Sequence, residues 1–256
     1  MLSVSAADKQ SSSCAPERTG QLRSPLKISQ QSALHAFGAE SKRLAEVAEG
    51  TDDATFARPS PCAPWTAAEL LYHVQMTMGR LPVMLADPEP DGTGLVPAAG
   101  YYRADQRFSA AVNTDRIQSA RRGAAALPGA AARARDFRRA REAAWTLLTS
   151  APPGRVVRTR HGDQMLLTEF VRTRVLELTV HGLDLAATLG RPSWMTDPAA
   201  QVTEQLLLPA PDAARLRAEA GWDRRTLIAK LTGRVPATAA ESSFIENLAT
   251  RRLALG

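Results

Sequence analysis

The chain is poor in cysteine and in aromatic residues. Its 256 residues include two cysteines, Cys14 and Cys62, which lie far apart and form no CxxC pattern. We therefore expect no disulfide framework, and a reducing, cytoplasmic location is the default expectation. Aromatic residues make up only 5% of the sequence. The predicted core is therefore built mainly from small aliphatic side chains packed between helices.

Long apolar runs are also missing. No stretch of the sequence is apolar enough to predict a membrane span, and the N-terminus lacks the apolar segment of a signal peptide. Residues 1–30 are rich in Ser, Pro, Lys, Arg and Gln and have little apolar content, which predicts a disordered tail. We assign residues 31–235 to a helical, metal-binding bundle domain and residues 236–256 to a C-terminal extension.

The net charge of +6 raises the question of a nucleic-acid partner. The densest basic stretch, residues 133–141, alternates arginines with apolar residues at helical spacing, which indicates the solvated face of an amphipathic helix. No aromatic side chains suited to base stacking accompany these arginines. We expect no nucleic-acid partner; the competing hypothesis of a basic nucleic-acid binder predicts salt-dependent affinity and no role for His73.

Helical periodicity dominates the rest of the sequence. A capping-box pattern at Thr66 and Glu69 predicts the start of a helix, and Gly190 followed by Pro192 predicts the end of another. The apolar pattern predicts long helices over residues 31–50, 66–85, 104–122, 130–150 and 168–188, and shorter ones over 197–208, 212–219, 223–232 and near the C-terminus. Residues 155–161 and the turn at Gly162 predict a small β-hairpin. The fold class is therefore mainly all-α, a four-helix bundle with additional C-terminal helices.

One predicted helix carries a pattern suited to metal binding. Arg174, Glu177, His181 and Asp184 lie on one stripe of it, and Glu177 and His181 are four residues apart, so both point into the same volume. A carboxylate and an imidazole in this arrangement can chelate a divalent metal. The chain has four histidines, and His73 lies near the apolar stripe of a second helix. Three protein ligands would leave coordination positions open, as in catalytic sites.

Simpler interpretations of the same residues stay open. A Glu and a His four residues apart are often an ordinary surface pair, and a histidine on an apolar face is often a hydrogen-bonded core residue. Asp184 and Arg174 could orient the two ligands from behind, or could be ordinary ion-pairing residues of a helix surface.

Three stretches of the sequence resemble one known family. They are Pro61-Cys-Ala-Pro-Trp65-Thr66 followed by Leu70 and His73, then Arg174-x-x-Glu177-x-x-Val180-His181-x-x-Asp184, then Asp223-Arg-x-x-Leu-x-x-x-Leu-Thr-Gly-Arg234. In this order they resemble the mycothiol-dependent maleylpyruvate isomerase family. The resemblance implies a DinB-like four-helix bundle and one divalent metal, usually zinc, held by His73, Glu177 and His181. It also implies mycothiol, a sugar-linked cysteine, as the thiol cosubstrate.

The chain departs from that family in places that bear on the substrate. The loop 87–103 and the segment 105–125 match nothing we can align, and we expect them to shape the substrate pocket. Trp65 is a tentative thiol-binding residue and Arg80 a tentative partner of a substrate carboxylate, whereas a hydrophobic plug and a solvated arginine are the alternatives. Cys62 has no adjacent base in its proline-rich loop, so we interpret it as structural. We recognise no second, α/β domain.

The resemblance favours an enzyme that activates a thiol as thiolate for attack on a small electrophilic substrate. Transfer of the thiol, in natural-product biosynthesis or detoxification, ranks slightly above cis–trans isomerisation of the maleylpyruvate type. A non-catalytic metal-binding protein is the third hypothesis. We expect a small-molecule substrate and mycothiol as partners, no membrane, and a monomer or homodimer. Activity should fall below about pH 6, because ligating histidines must be neutral.

Overall fold

The computed structural model describes residues 29–246 and residue 253, and the fold is described for these residues. The helices are α1 (Gln30–Glu49), α2 (Asp53–Phe56), α3 (Ala67–Met78), α4 (Leu81–Ala86), α5 (Ala110–Ala125), α6 (Ala130–Ser150), α7 (Leu167–Leu189), α8 (Asp197–Leu207), α9 (Ala210–Ala220), α10 (Arg224–Leu231) and α11 (Ala239–Glu246). Two 3₁₀ turns, Ala98–Tyr102 and Gln106–Phe108, precede α5. Strands β1 (Val156–Arg158) and β2 (Gln164–Leu166) pair antiparallel. The predicted mainly α-helical fold with a small hairpin is confirmed.

Four helices form the bundle that carries the site. Helix α1 packs against α6 and α7, and α3 packs against the same two helices from the other side. Phe37, Leu70, Phe137 and Leu176, one from each of these helices, are fully buried between them. Helix α5 covers α3, whereas α8 covers α1 and α7 and is itself covered by α10. Each of the two helices with candidate ligands, α3 and α7, is therefore covered on several sides.

Helix α3 begins as predicted but ends earlier. The Thr66 side chain accepts from the backbone of Glu69, and the Glu69 carboxylate accepts from the backbone of Thr66, which completes the capping box. The apolar stripe predicted a helix through residue 85, whereas α3 ends at Met78 and α4 follows as a separate short helix. Pro82 gives the physical reason, because its ring would clash with the carbonyl group of residue 78 in a continuous helix.

Other predicted boundaries also move for local reasons. The helix predicted from residue 104 begins at Ala110, because Ser109 caps it and a 3₁₀ turn occupies the preceding residues. Helix α2 lies in a segment predicted to be loop. The predicted tail lies outside the described residues apart from its last two, of which Ser29 caps α1. In the described part of the chain, no helix combines the length and apolar composition that crossing a membrane requires.

Helix α5 approaches α3 closely at Gly123. A Cβ atom at this position would lie 1.9 Å from the ring of Tyr72, a distance that no real contact reaches. We expect Gly123→Ala to lower the free energy of unfolding by about 1–3 kcal/mol, although alanine is normally the better helix former. Urea unfolding followed by circular dichroism measures this change.

Gly50→Ala is the matched control for that prediction. Gly50 ends α1 with a negative φ of −92°, and the nearest atoms to an added Cβ are 3.8 Å away. This variant should match the wild type within about 0.5 kcal/mol. A Gly123→Ala protein as stable as the wild type would contradict the close packing of α5 on Tyr72.

Candidate metal centre

Three side chains that can bind a metal meet in the core of the bundle. His73 comes from α3, and Glu177 and His181 come from α7. Glu177 Oε2 lies 3.4 Å from His181 Nε2 and 3.8 Å from His73 Nε2. One ligand atom from each residue lies within 4.8 Å of the others. The carboxylate therefore stands between two imidazoles, as the helical spacing and the inward position of His73 predicted.

Burial sets the protonation of His73. Its imidazole is desolvated, and burial lowers the pKa to about 4, with the neighbouring His181 adding to the effect. The ring is therefore neutral at physiological pH and has a lone pair to donate. Its Nδ1 atom is buried and finds no hydrogen-bond partner among the described residues. A neutral imidazole whose Nε2 atom faces a carboxylate 3.8 Å away is a group that can bind a metal.

Asp184 fixes the orientation of His181. The two side chains are 3.0 Å apart between Asp184 Oδ2 and His181 Nδ1, which leaves Nε2 directed at Glu177. Arg234, beyond α10, holds the same carboxylate with two nitrogens, each 3.1 Å from an oxygen of Asp184. Burial opposes charge on His181, but its hydrogen bonds with Asp184, Cys62 and Glu177 raise its pKa well above the ordinary value.

Glu177 is held by groups on its other side. The hydroxyl group of Tyr102 lies 3.0 Å from Glu177 Oε1 and 2.9 Å from the carbonyl oxygen of Thr173. Burial would raise the pKa of Glu177, but hydrogen bonds with the two histidines and the charge of Arg174 bring it well below the ordinary value. The carboxylate is therefore ionised, as a metal ligand must be.

A small cavity of about 70 Å³ opens onto this cluster. His73 and Glu177 line it, which leaves two of the three candidate ligands accessible from one side. Aromatic side chains form part of its wall, namely Tyr101, Tyr102 and Phe108. The rest of the wall is strongly basic, with Arg80, Arg116, Arg160 and Arg174. An open face with a charged, partly apolar wall is the arrangement expected of a catalytic site.

The family comparison agrees with this geometry. A family model described as the mycothiol maleylpyruvate isomerase N-terminal domain matches residues 37–186, more than half of the chain. The chain belongs to this family. No curated protein and no solved structure matches it. The part that matches this mycothiol-related, DinB-like family contains the three candidate ligands and Asp184, whereas Arg234 lies beyond it.

The remaining predicted residues take different positions around the ligands. Trp65 is buried and stacks on the ring of His73, with ring centroids 4.5 Å apart, but it does not line this cavity. Arg174 makes no ion pair with Glu177; it donates to Thr173 Oγ1 and to the carbonyl oxygen of Thr77 and lies over the ring of Phe170. Arg80 is exposed at the cavity rim.

Cys62 lies closer to the site than the sequence indicated. Its Sγ atom falls within 4.8 Å of ligand atoms of His181 and Asp184. A hydrogen bond between Cys62 and His181 is one cause of the raised pKa of that histidine. The structural interpretation of Cys62 rests on the lack of a base in its own loop, but an imidazole from α7, that of His181, lies beside it.

Sequence reasoning missed Tyr102 and Arg116 as site residues. Both lie in the segments that could not be aligned, and those segments were expected to shape the pocket without any residue being singled out. Tyr102 reaches Glu177 across 75 positions of the chain, and no local spacing marks such a contact. Arg234 carried a weak indication, because it closes the third family-like stretch.

The ligand set generates a direct prediction. Wild-type protein should bind about one equivalent of a divalent metal such as zinc, and His73→Ala, Glu177→Ala and His181→Ala should each lose it, because two remaining ligands form a weak site. Elemental analysis after dialysis and a competition titration with a chromogenic chelator measure this. His35→Ala is the matched control, since His35 is exposed on α1. Equal metal content in all variants would contradict the assignment.

The support from Asp184 should also be measurable. Asp184→Asn keeps the size of the side chain but removes the charge that orients His181 and pairs with Arg234. We expect metal affinity to fall about 10–100-fold, as is typical for partners of metal ligands. Asp197→Asn is the control, because Asp197 pairs with Arg225 and its side chain is 84% exposed. Unchanged affinity in Asp184→Asn would show that His181 needs no such support.

Proposed function

We propose that this chain catalyses the attack of a mycothiol thiolate on a small electrophilic substrate that carries a carboxylate. The observation that carries the proposal is the convergence of His73, Glu177 and His181, the first two of which line a basic cavity. Membership of the mycothiol maleylpyruvate isomerase family supports the choice of thiol.

The donor set fits a divalent metal, and zinc is our choice. Two imidazoles and one carboxylate are donors that zinc prefers, and the ionised carboxylate of Glu177 stands between the Nε2 atoms of His73 and His181. When bound by His73, Glu177 and His181, such a metal would hold a coordinated thiol as the thiolate. The protein itself contributes orientation: Asp184 aligns His181, and Tyr102 aligns Glu177.

The cavity wall supports an anionic substrate. Arg80, Arg116, Arg160 and Arg174 line it, and none of them forms an ion pair with a carboxylate in residues 29–246. Arg174 is only 3% exposed, and its Nη2 atom has no hydrogen-bond partner within the same range. Burial and the charge of Arg160 lower the pKa of Arg116. Cations held close together in this way gain most from an anion between them.

The same site can complete the reaction in two ways. The thiol loses its proton to solvent, and its sulfur forms a bond to an electrophilic carbon conjugated to a carbonyl group. If a leaving group then departs with the bonding electrons, the sulfur remains on the product, which is transfer. If the carbon–sulfur bond breaks again after rotation about the former double bond, the thiol is regenerated and the product is the isomer. We rank transfer first; isomerisation of the maleylpyruvate type is the second candidate, which the description of the matching family supports.

The test supplies zinc-loaded protein with mycothiol and matched pairs of unsaturated electrophiles, one a carboxylate and the other its neutral amide. Mass spectrometry and chromatography distinguish an adduct from an isomer. We expect turnover of the carboxylates that is abolished by chelation and absent in His73→Ala. Metal-loaded protein that turns over no electrophile with mycothiol would contradict the proposal and favour a non-catalytic metal-binding protein.

Arg116 provides a sharper test of the anionic substrate. Arg116→Gln should raise KM for the carboxylate electrophile about 10–100-fold, which is the usual effect of losing a hydrogen bond to a charged group, and should leave KM for the amide unchanged. Arg122→Gln is the control, because Arg122 is exposed on the same helix. An equal effect on both electrophiles would contradict carboxylate binding by Arg116.

A further inference from the structure

A second cavity adjoins the one at the candidate metal centre. Its volume is about 470 Å³, against about 70 Å³ for the inner cavity. Met76, Arg80 and Arg160 line both cavities, so the two share one boundary. Cosubstrate sites commonly span about 300–1,000 Å³. The inner cavity falls below this range, whereas the outer one lies within it.

Helix α3 runs along both cavities. His73 and Thr77 face the inner cavity, whereas Tyr72 and Gly79 face the outer one, and Met76 stands between the two rows. Successive residues of a helix are rotated by about 100° about its axis, so the two rows point in different directions. A molecule that follows the boundary at Met76 would therefore have one end at the candidate ligands and the other end in the outer cavity.

The two cavities differ in their chemistry. In the inner cavity, Glu177 is the single acidic side chain among the lining residues, and it is itself a candidate ligand. The outer cavity shares Arg80 and Arg160 with the inner one, but it adds an acidic group, uncharged polar groups, an aromatic ring and apolar side chains, among them Asp87, Gln75, Thr159, Tyr72 and Val83. The inner wall suits an anion, whereas the mixed outer wall suits a neutral group with many hydroxyls.

We propose that the outer cavity binds the sugar portion of the thiol cosubstrate, with the cysteine arm passing Met76 toward the metal centre. This inference rests on the proposed function, because it takes mycothiol as the thiol. It assigns the two cavities to different molecules. The carboxylate of the electrophile enters the inner cavity beside its arginines, and the polyhydroxyl group occupies the outer one, so that both reacting ends meet beside His73 and Glu177.

Ala140 allows the outer cavity to be filled without touching the metal centre. It is half-buried on α6 and lines the outer cavity but not the inner one. We expect Ala140→Phe to raise KM for mycothiol about tenfold or more, the equivalent of one or two lost hydrogen bonds. KM for N-acetylcysteine, a thiol without the sugar, and KM for the electrophile should not change. Ala143→Phe is the control, since Ala143 is exposed on the same helix.

A direct binding measurement separates this inference from the proposed reaction. Calorimetric titration with the sugar portion of mycothiol, without its cysteine, should give binding to wild type and to Ala143→Phe and none to Ala140→Phe. Val83→Trp is a second variant in case Ala140→Phe does not fold, because Val83 lines the cavity and is 65% exposed. It should weaken sugar binding as well.

Three results would overturn the assignment. The first is that the sugar portion binds neither the wild type nor Ala143→Phe. The second is that Ala140→Phe raises KM for mycothiol and N-acetylcysteine equally. The third is that it raises KM for the electrophile alone, which would place the electrophile in the outer cavity. Failure of the thiol reaction with sugar binding intact would instead overturn the proposed function and leave this cavity assignment standing.

Discussion

The burial of one carboxylate between two imidazoles is the constraint on which the rest of the site depends. Removing Glu177 from water is unfavourable unless hydrogen bonds and opposite charge replace the lost hydration. Tyr102 at 3.0 Å and His181 at 3.4 Å, with its raised pKa, provide that replacement. Each partner then requires support of its own, so the cluster extends outward from Glu177. A divalent cation would satisfy the same three donors more completely than the protein alone does.

Because each partner of Glu177 needs further support, segments that are distant in the chain take part in the site. Asp184 orients His181 and is held by Arg234, which lies 50 positions further along the chain. Tyr102 brings the loop before α5 against α7. A buried polar network is stable only when each member is satisfied, and so the C-terminal helices and the long loop are fixed by the same few side chains that position the candidate ligands.

Local physics in the sequence accounts for most of the fold and for the placement of Glu177 and His181 on one face of α7. Apolar periodicity placed the long helices, the capping box placed the start of α3, and helical spacing brought Glu177 and His181 together. The contacts between segments that are distant in the chain could not be predicted from the sequence. Tyr102 and Arg116 come from a stretch with no repeating pattern, and Cys62 lies beside His181 and Asp184 of α7. Such contacts follow from tertiary packing, for which a single sequence offers no spacing rule.

Helix α3 ends at Met78, earlier than the apolar stripe predicts, and this has a consequence for the two cavities. Because Pro82 cannot sit in the interior of a helix, the chain turns at Gly79 and restarts as α4 at Leu81. Arg80 occupies this turn as the N-cap residue of α4 and lines both cavities. In a continuous helix, by contrast, its backbone would be hydrogen-bonded along α3 and its side chain confined to one face. The helix break therefore places a cation at the boundary where an anionic electrophile and a neutral polyhydroxyl group would meet.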